Sequence, residues 1–293
     1  MAEARPSQRA GFWIGLAGFA ATLVLPAPAG MAGPAWMVAG LVVWMAAWWM
    51  TEAVPLTATA LLPFVVLPFA GGGSAGEVAS DYYSPILFLI LGGAFLALAI
   101  ERTGLHTRLA SAILRAIGGR GGEAGLLLGF MMAAAILSNI ISNTSTALIM
   151  MPMALAVLAG GAAHDGESRL GMSGALPMGI AFAASIGGLG TIIGSPTNAI
   201  AVALLRETIE LEISFALWAA FGIPVVLLGV PLAAFIIARV QQVSIHPFDI
   251  AAAQRAIADE GPWSSAQRRL VPVIALAFLL WMSRPLIVPL FPE

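Results

Sequence analysis

Two short stretches of uncharged polar residues, each set inside apolar sequence, constrain this chain more than any other feature. The first is SNIISNTSTALIMMP, residues 138–152, where Ser138, Asn139, Ser142, Asn143, Thr144, Ser145 and Thr146 interrupt a long hydrophobic segment without a single charge. The second is GSPTN, residues 194–198, again between apolar runs. The flanking segments are of membrane-spanning length, because a helix needs roughly 20 apolar residues to cross the hydrocarbon core. The chain is 60% hydrophobic and 10% charged. A soluble domain carries about 25% charged residues, so this chain cannot cover a water-facing surface and is an integral membrane protein. The apolar runs do not alternate, which argues for helices and against barrel strands. There is no Cys, which excludes disulfides and thiolate metal sites.

Breaks at prolines and glycines divide the chain. Scaffold spans are expected over residues 1–100: Gly11 to Leu25, Ala35 to Met50 with Trp44, Trp48 and Trp49, Leu56 to Phe69, and Pro85 to Ile100 after an acidic loop at 71–84. Over 101–123, Leu105, Leu109, Ile113 and Ile117 recur at helical spacing among Arg102, Arg108 and Arg115, the pattern of an interfacial amphipathic helix. Two apolar arms flank the first polar stretch over 124–163. Residues 172–238 carry a helix interrupted at Gly187, Gly188, Gly190 and GSPTN, then a span with Pro224 and Pro231. An amphipathic linker, 239–269, contains His246, Asp249, Arg255, Asp259 and Glu260, and a last span occupies 270–293.

Charge sets an expected orientation. All 13 basic residues are Arg. With the N-terminus cytoplasmic, and residues 124–160 entering and leaving on one side, Arg5, Arg9, Arg102, Arg108, Arg115, Arg120, Arg169, Arg239, Arg255, Arg268 and Arg269 fall inside. Arg206 and Arg284 fall outside, with Glu77, Asp81, Glu207, Glu210 and Glu212. This is the positive-inside bias. A loop between two complete spans satisfies the same parity.

Non-helical backbone at membrane depth is tolerated only where it lines a cavity or is buried in protein. Two interrupted helices in one chain therefore point to a transporter site. Ser142, Asn143 and Thr144 precede Ala147–Val157 as N-cap candidates, and Ser195-Pro196 repeats the arrangement with Pro at the first helical position. Free N–H groups at such ends suit an anion, and the carbonyls that close the preceding half-helices suit a hard cation such as Na⁺. The bland alternatives are an exposed loop at 138–146 and a simple kink at 194–198.

Four blocks in this order, WWMTEAVPLTATALLP, LGGAFLALAIERTGLHTRLA, LSNIISNTSTALIMMP and SIGGLGTIIGSPTN, resemble the divalent-anion/sodium symporter family of sodium–dicarboxylate and sodium–sulfate carriers. The similarity runs from about Trp44 to the last span. The resemblance implies an all-α polytopic membrane protein, the first repeat of an inverted-repeat transporter, with a re-entrant hairpin tipped by Ser142-Asn143-Thr144 and a broken helix. It implies a sodium site from Ser138, Ser142, Asn143 and a glycine of the broken helix. By analogy with the family's second repeat that glycine is Gly194, rather than Gly187, Gly188 or Gly190. Asn143, Thr144, Ser195 and Pro196 would touch a substrate carboxylate.

The function so implied is sodium-coupled transport of a small dianion, such as the C4-dicarboxylate succinate, by alternating access. No cofactor is involved beyond Na⁺ as coupling ion. The chain would be multi-pass in the plasma (cell inner) membrane, in contact with lipid, homodimeric through its scaffold spans, and without a nucleic-acid partner. Sulfate or another anion is the alternative cargo, and a non-transporting half-length subunit the alternative role. The sequence contains no second Ser-Asn-Thr motif after the last span, so it is expected to represent the first repeat plus the first span of a second.

Other candidates are weaker. Glu52 and Glu101 lie at span ends, where acids serve as helix-terminus residues. His106, His164 and His246 lack metal-ligand spacing. Ser142 and Ser185 have no neighbouring His or Asp to activate a hydroxyl, so the chain is not expected to be an enzyme.

Overall fold

The structure is a computed structural model that describes residues 5–83, 85–117, 121–161, 170–245, 248–255 and 261–287. Arg120, His164, Arg169, His246, Asp259 and Glu260 lie outside the described residues. The described residues are helical, with no β-strand among them. The chain divides into two compact units, Met1–Leu87 and Phe88–Glu293.

In the first unit, α1 (Pro6–Val24) and α2 (Gly33–Thr51) pack side by side. The seam is built on missing side chains. A methyl at Gly11 would collide with the Thr51 side chain, one at Gly15 would lie 2.7 Å from Trp44 Cδ1, and one at Gly18 would lie 2.8 Å from Val43. Gly40 of α2 receives Thr22 in the same way. Gly11 and Gly15 form the small-xxx-small spacing that lets membrane helices approach closely. Aromatic rings fill the remaining volume. Phe12 stacks on Trp48 at 5.3 Å, Trp44 meets Trp48 edge-on at 5.1 Å, and Trp48 Nε1 donates to Phe12 O at 3.2 Å. Trp49, on the other side of α2, is exposed. Glu52 ends α2 in the left-handed conformation at φ 51°, and its carbonyl accepts from Gln8 Nε2.

The single span expected over 56–69 is instead two short helices, α3 (Leu56–Ala60) and α4 (Leu62–Val66). Pro63 has no N–H to continue the ladder, and the chain reorganises at Leu61, whose N–H bonds the carbonyl of Ala58. A capping box of Ser74 and Glu77 starts α5 (Ala75–Asp81). Helix α6 (Pro85–Thr103) leads into the second unit.

There, α7 (Leu105–Ile117) turns its buried residues His106, Ala110, Ser111 and Leu114 inward and packs on α8 (Gly122–Ser138). Arg115 stays exposed. Helix α8 is the centre of the core. Leu126, Leu127, Phe130, Met131, Ala133, Ala134, Ala135 and Leu137 are all buried, and from Leu126 onward only the stripe Leu128, Met132 and Ile136 is half-buried, so it is enclosed over most of its circumference, as expected of a helix without a polar face. Around it lie α7, α9 (Asn143–Gly161), α10 (Met172–Gly187) and α12 (Phe215–Val240). Helices α8 and α10 run parallel: Gly179 faces Leu127 and Met131, and one end further on Gly187 lies so close that a methyl there would sit 2.5 Å from Ala135 backbone. Helix α9 folds back along α8, and its last residue, Gly161, meets the Phe248 ring while its carbonyl accepts from Asp249 N at 2.9 Å. After α10 come a 3-10 turn (Ile192–Gly194) and α11 (Pro196–Ile209).

The linker before the last helix is α13 (Ile250–Arg255), followed by α14 (Ser265–Ile287). Gln267 Nε2 donates to Thr103 O at 3.1 Å, and Arg108 donates to the carbonyls of Gly261 and Pro262 while its guanidinium lies 4.9 Å over the Trp263 ring. The start of α14 is thereby tied to the α6–α7 junction. By length and composition, the helices Gly33–Thr51, Asn143–Gly161, Phe215–Val240 and Ser265–Ile287, and the stretch Ala75–Thr103 that contains α5 and α6, are able to cross a membrane. Apolar side chains such as Leu228, Leu279 and Leu286 stand exposed along them, which water would not tolerate at this density and lipid does.

Candidate functional site

The site grows from the way α8 and α10 end. Because the two helices are parallel, both stop at the same level, and their C-terminal carbonyls gather there. Ser138, the last residue of α8, is fully buried. Its Oγ lies 2.5 Å from Asn143 Oδ1 at the start of α9 and 2.7 Å from the Ala184 carbonyl of α10. One hydroxyl proton serves only one of these two acceptors at a time. Gly188, which caps α10, is buried against the same group: a methyl there would lie 2.6 Å from Asn143 Oδ1 and 3.3 Å from Gly194 O. Gly194 in turn faces the carbonyls of Gly188 and Ser138, at 2.6 and 3.0 Å from a methyl position. Asn139 adds a further acceptor. Its Nδ2 returns to Ala135 O, while its buried Oδ1 faces Gly190 and has no hydrogen-bond partner.

The break between α10 and α11 is stitched by side chains. Thr191 Oγ1 donates to Asn139 O at 2.6 Å and accepts from Gly194 N. Asn198, nearly fully buried, spends both amide protons on the break, donating to Gly188 O at 2.7 Å and Thr191 O at 2.8 Å. Trp218 of α12 donates from Nε1 to Leu189 O at 2.9 Å. The carbonyls of Asn139, Gly188, Leu189 and Thr191, freed at the helix breaks, are thus re-satisfied.

Of the four expected sodium ligands, Ser138, Asn143 and Gly194 lie together, and Gly188 lies with them. Ser142 differs. Its Oγ accepts from Ser145 N at 3.1 Å and donates to Ser145 Oγ, so the hydroxyl is occupied as the N-cap of α9, and its carbonyl accepts from Thr146 N. Thr144 is exposed. Pro196 stands at the first position of α11 and is exposed; Ser195 occupies the N-cap position, but its hydroxyl pairs with Thr197 Oγ1 at 2.8 Å and caps nothing. That leaves the first turn of α11 without a side-chain cap. Ser142-Asn143-Thr144 and Ser195-Pro196-Thr197 therefore both start helices whose positive ends begin beside the oxygen cluster.

Thr191, Trp218 and Gly222 were not singled out from the sequence, and Asn139 and Asn198 were not among the expected ligands. Asn139 and Asn198 belong to the two polar stretches, and an amide buried in an apolar segment is itself a signal. Trp218 carries none, because only the fold brings α12 against the break.

These features define a polytopic helical membrane protein built around two interrupted helices whose uncharged oxygens meet. Residues 46–292 match the citrate transporter family, and the chain belongs to it. It is 35% identical over 285 residues to a protein of Staphylococcus saprophyticus named sodium-dependent dicarboxylate transporter SdcS, which covers 94% of this chain and 54% of that one. The protein of the same name from Staphylococcus aureus strain USA300 is 37% identical over 257 residues, 84% of this chain and 49% of that one. The chain thus spans about half the length of these relatives. The resemblance carried by the four sequence blocks and these matches agree on the family, one whose relatives are named as membrane transporters.

Proposed function

We propose that the chain forms the sodium-binding part and half of the substrate site of a sodium-coupled carrier of small dianions. The names of the relatives favour a dicarboxylate as cargo, and within that class we take the C4-dicarboxylate succinate as the substrate to test. The observation that carries the reading is the surplus of uncharged acceptors, buried or half-buried, at one point: Ser138 Oγ, Asn143 Oδ1, Ala184 O and the carbonyl of Gly194, beside the orphan Oδ1 of Asn139. Oxygens crowded at this spacing repel one another unless a proton or a cation lies among them. The donor set is all oxygen and neutral, which suits a hard monovalent cation. The negative ends of α8 and α10 add to its attraction.

The anion side follows from the opposite helix ends. Asn143, Thr144, Ser195 and Pro196 stand where α9 and α11 begin, and the free N–H groups there favour a carboxylate. Sodium bound first would draw Asn143 and Gly188 together and fix the two helix starts that receive the dianion. In this account α8 and α9 form a re-entrant hairpin whose tip lies at membrane depth. The enclosure of α8 supports it, since the break is then buried in protein. Movement of the hairpin-bearing unit would expose the site alternately to each side. The positive-inside distribution supports a cytoplasmic N-terminus in the plasma membrane, and the homodimer is part of the same proposal.

The test is uptake of labelled succinate into proteoliposomes containing this chain, driven by a Na⁺ gradient and compared with K⁺. Asn143→Ala is expected to abolish the Na⁺-driven component with unchanged expression. Uptake by that variant at the unmodified rate would sink the assignment, and sodium-driven uptake of sulfate but not succinate would change the cargo.

A further inference from the structure

Helix α12 lies behind the α10–α11 break, and two of its residues, one turn apart, meet the same carbonyl. Trp218 Nε1 donates to Leu189 O at 2.9 Å. At Gly222 a methyl would lie 2.5 Å from Leu189 O and 3.0 Å from Gly190 O, so the absence of a side chain is what lets these carbonyls reach α12. Residues four apart stand on one face of a helix, and the same face continues through buried Val226 and Val230 into the core around α8 and α10. Leu189 itself is partly exposed and the two neighbouring glycines, Gly188 and Gly190, are buried. The hold on its carbonyl is therefore not made by packing of its own side chain.

The consequence is directional. Between Gly188 and Thr191, the carbonyl of Gly188 is taken by Asn198, that of Leu189 by Trp218, and that of Thr191 by Asn198. Gly188 is the glycine facing Asn143 Oδ1, and Leu189 is its covalent neighbour. The Leu189 carbonyl belongs to the peptide that joins Leu189 to Gly190; swinging it away from α12 would turn Gly190 directly and, through Leu189, the backbone at Gly188. From this we infer that Trp218 is a positioning residue for sodium binding: its indole N–H, with the gap at Gly222, fixes the Leu189 peptide so that Gly188 and Gly194 stay against Asn143. The inference rests on the sodium site proposed above and adds a residue that touches neither ion nor substrate.

The test uses the purified full chain, with NaCl titrated against choline chloride. Two quantities are read: the Na⁺ concentration that half-saturates the rise in thermal midpoint, and the Na⁺-induced change in tryptophan emission. Trp218→Phe keeps the ring and removes the donor. Its half-saturating Na⁺ is expected to rise roughly three- to tenfold, the range set by one net hydrogen bond, with the emission change largely lost and the midpoint in choline little altered. Gly222→Ala, which pushes on the same carbonyl but keeps the indole, is expected to raise the half-saturating Na⁺ and retain an emission change. A purely structural Trp218 would instead lower the midpoint in choline and leave the half-saturation unchanged. Unchanged half-saturation in both variants overturns the inference alone. No Na⁺ response from the unmodified chain overturns the sodium reading, and this inference with it.

Discussion

Along α1, Gly11, Gly15 and Gly18 make room for the side chains of Thr51, Trp44 and Val43; at the helix breaks, Gly188, Gly190 and Gly194 make room for Asn143 Oδ1, Asn139 Oδ1 and backbone carbonyls. The same residue type, used for the same steric reason, produces two different kinds of contact. The α1–α2 seam is apolar and aromatic, its attractions are short-ranged and non-directional, and a changed shape can be partly accommodated by repacking. The breaks are held by directed hydrogen bonds around acceptors that outnumber their donors. Displacing one oxygen there leaves others buried without partners, and the cost is that of an unmet polar group. A glycine in the first region is expected to matter for stability, and one in the second for binding.

The strongest challenge to this contrast is Gly188→Ala. The added methyl meets Asn143 Oδ1, which is held by Ser138 Oγ, and Gly194 O. A loss of about 3 kcal/mol of ion affinity, on the order of a hundredfold, is expected, with helical content by circular dichroism unchanged. A normal Na⁺-dependent thermal shift in this variant would break the comparison. Next in size is Gly15→Leu, whose side chain runs into Trp44 and Trp48. Overpacking of this kind costs about 1–3 kcal/mol; a lowered thermal midpoint with unaltered half-saturating Na⁺ is expected, and a shifted half-saturation would erase the distinction. The smallest effect is predicted for Ser142→Ala. With its hydroxyl engaged as the cap of α9, its removal should cost about 1 kcal/mol of stability, and Ser142→Asp should restore most of it. A drop in Na⁺ affinity beyond tenfold in Ser142→Ala would instead put that hydroxyl on the ion, as the family resemblance implies.

Several of these elements are legible in the sequence alone. Helix starts at Asn143 and Pro196 follow from local capping chemistry, and the ends of α10 and α11 from glycine, proline and the polar residues between them. The amphipathic period of α7 was equally plain, because burial on one face leaves a 3.6-residue rhythm. The break at Leu61 within 56–69 is not legible in a uniformly apolar composition, where only the proline at 63 marks the place at which the ladder fails. Ser195 was expected to cap α11 because Ser before Pro is a common helix start; its hydroxyl finds Thr197 instead, a choice between two nearby partners that sequence spacing does not resolve.

By itself, then, the sequence determined a membrane-embedded helical chain with two uncharged breaks, because apolar length and capping residues act over a few neighbours. Which atoms meet at those breaks was decided only by tertiary structure. Ser138 reaches Ala184, Thr191 reaches Asn139, and Trp218 reaches Leu189 because α8 and α10 run parallel and α12 closes behind them. That arrangement is a property of how helices bury one another, and no local rule contains it.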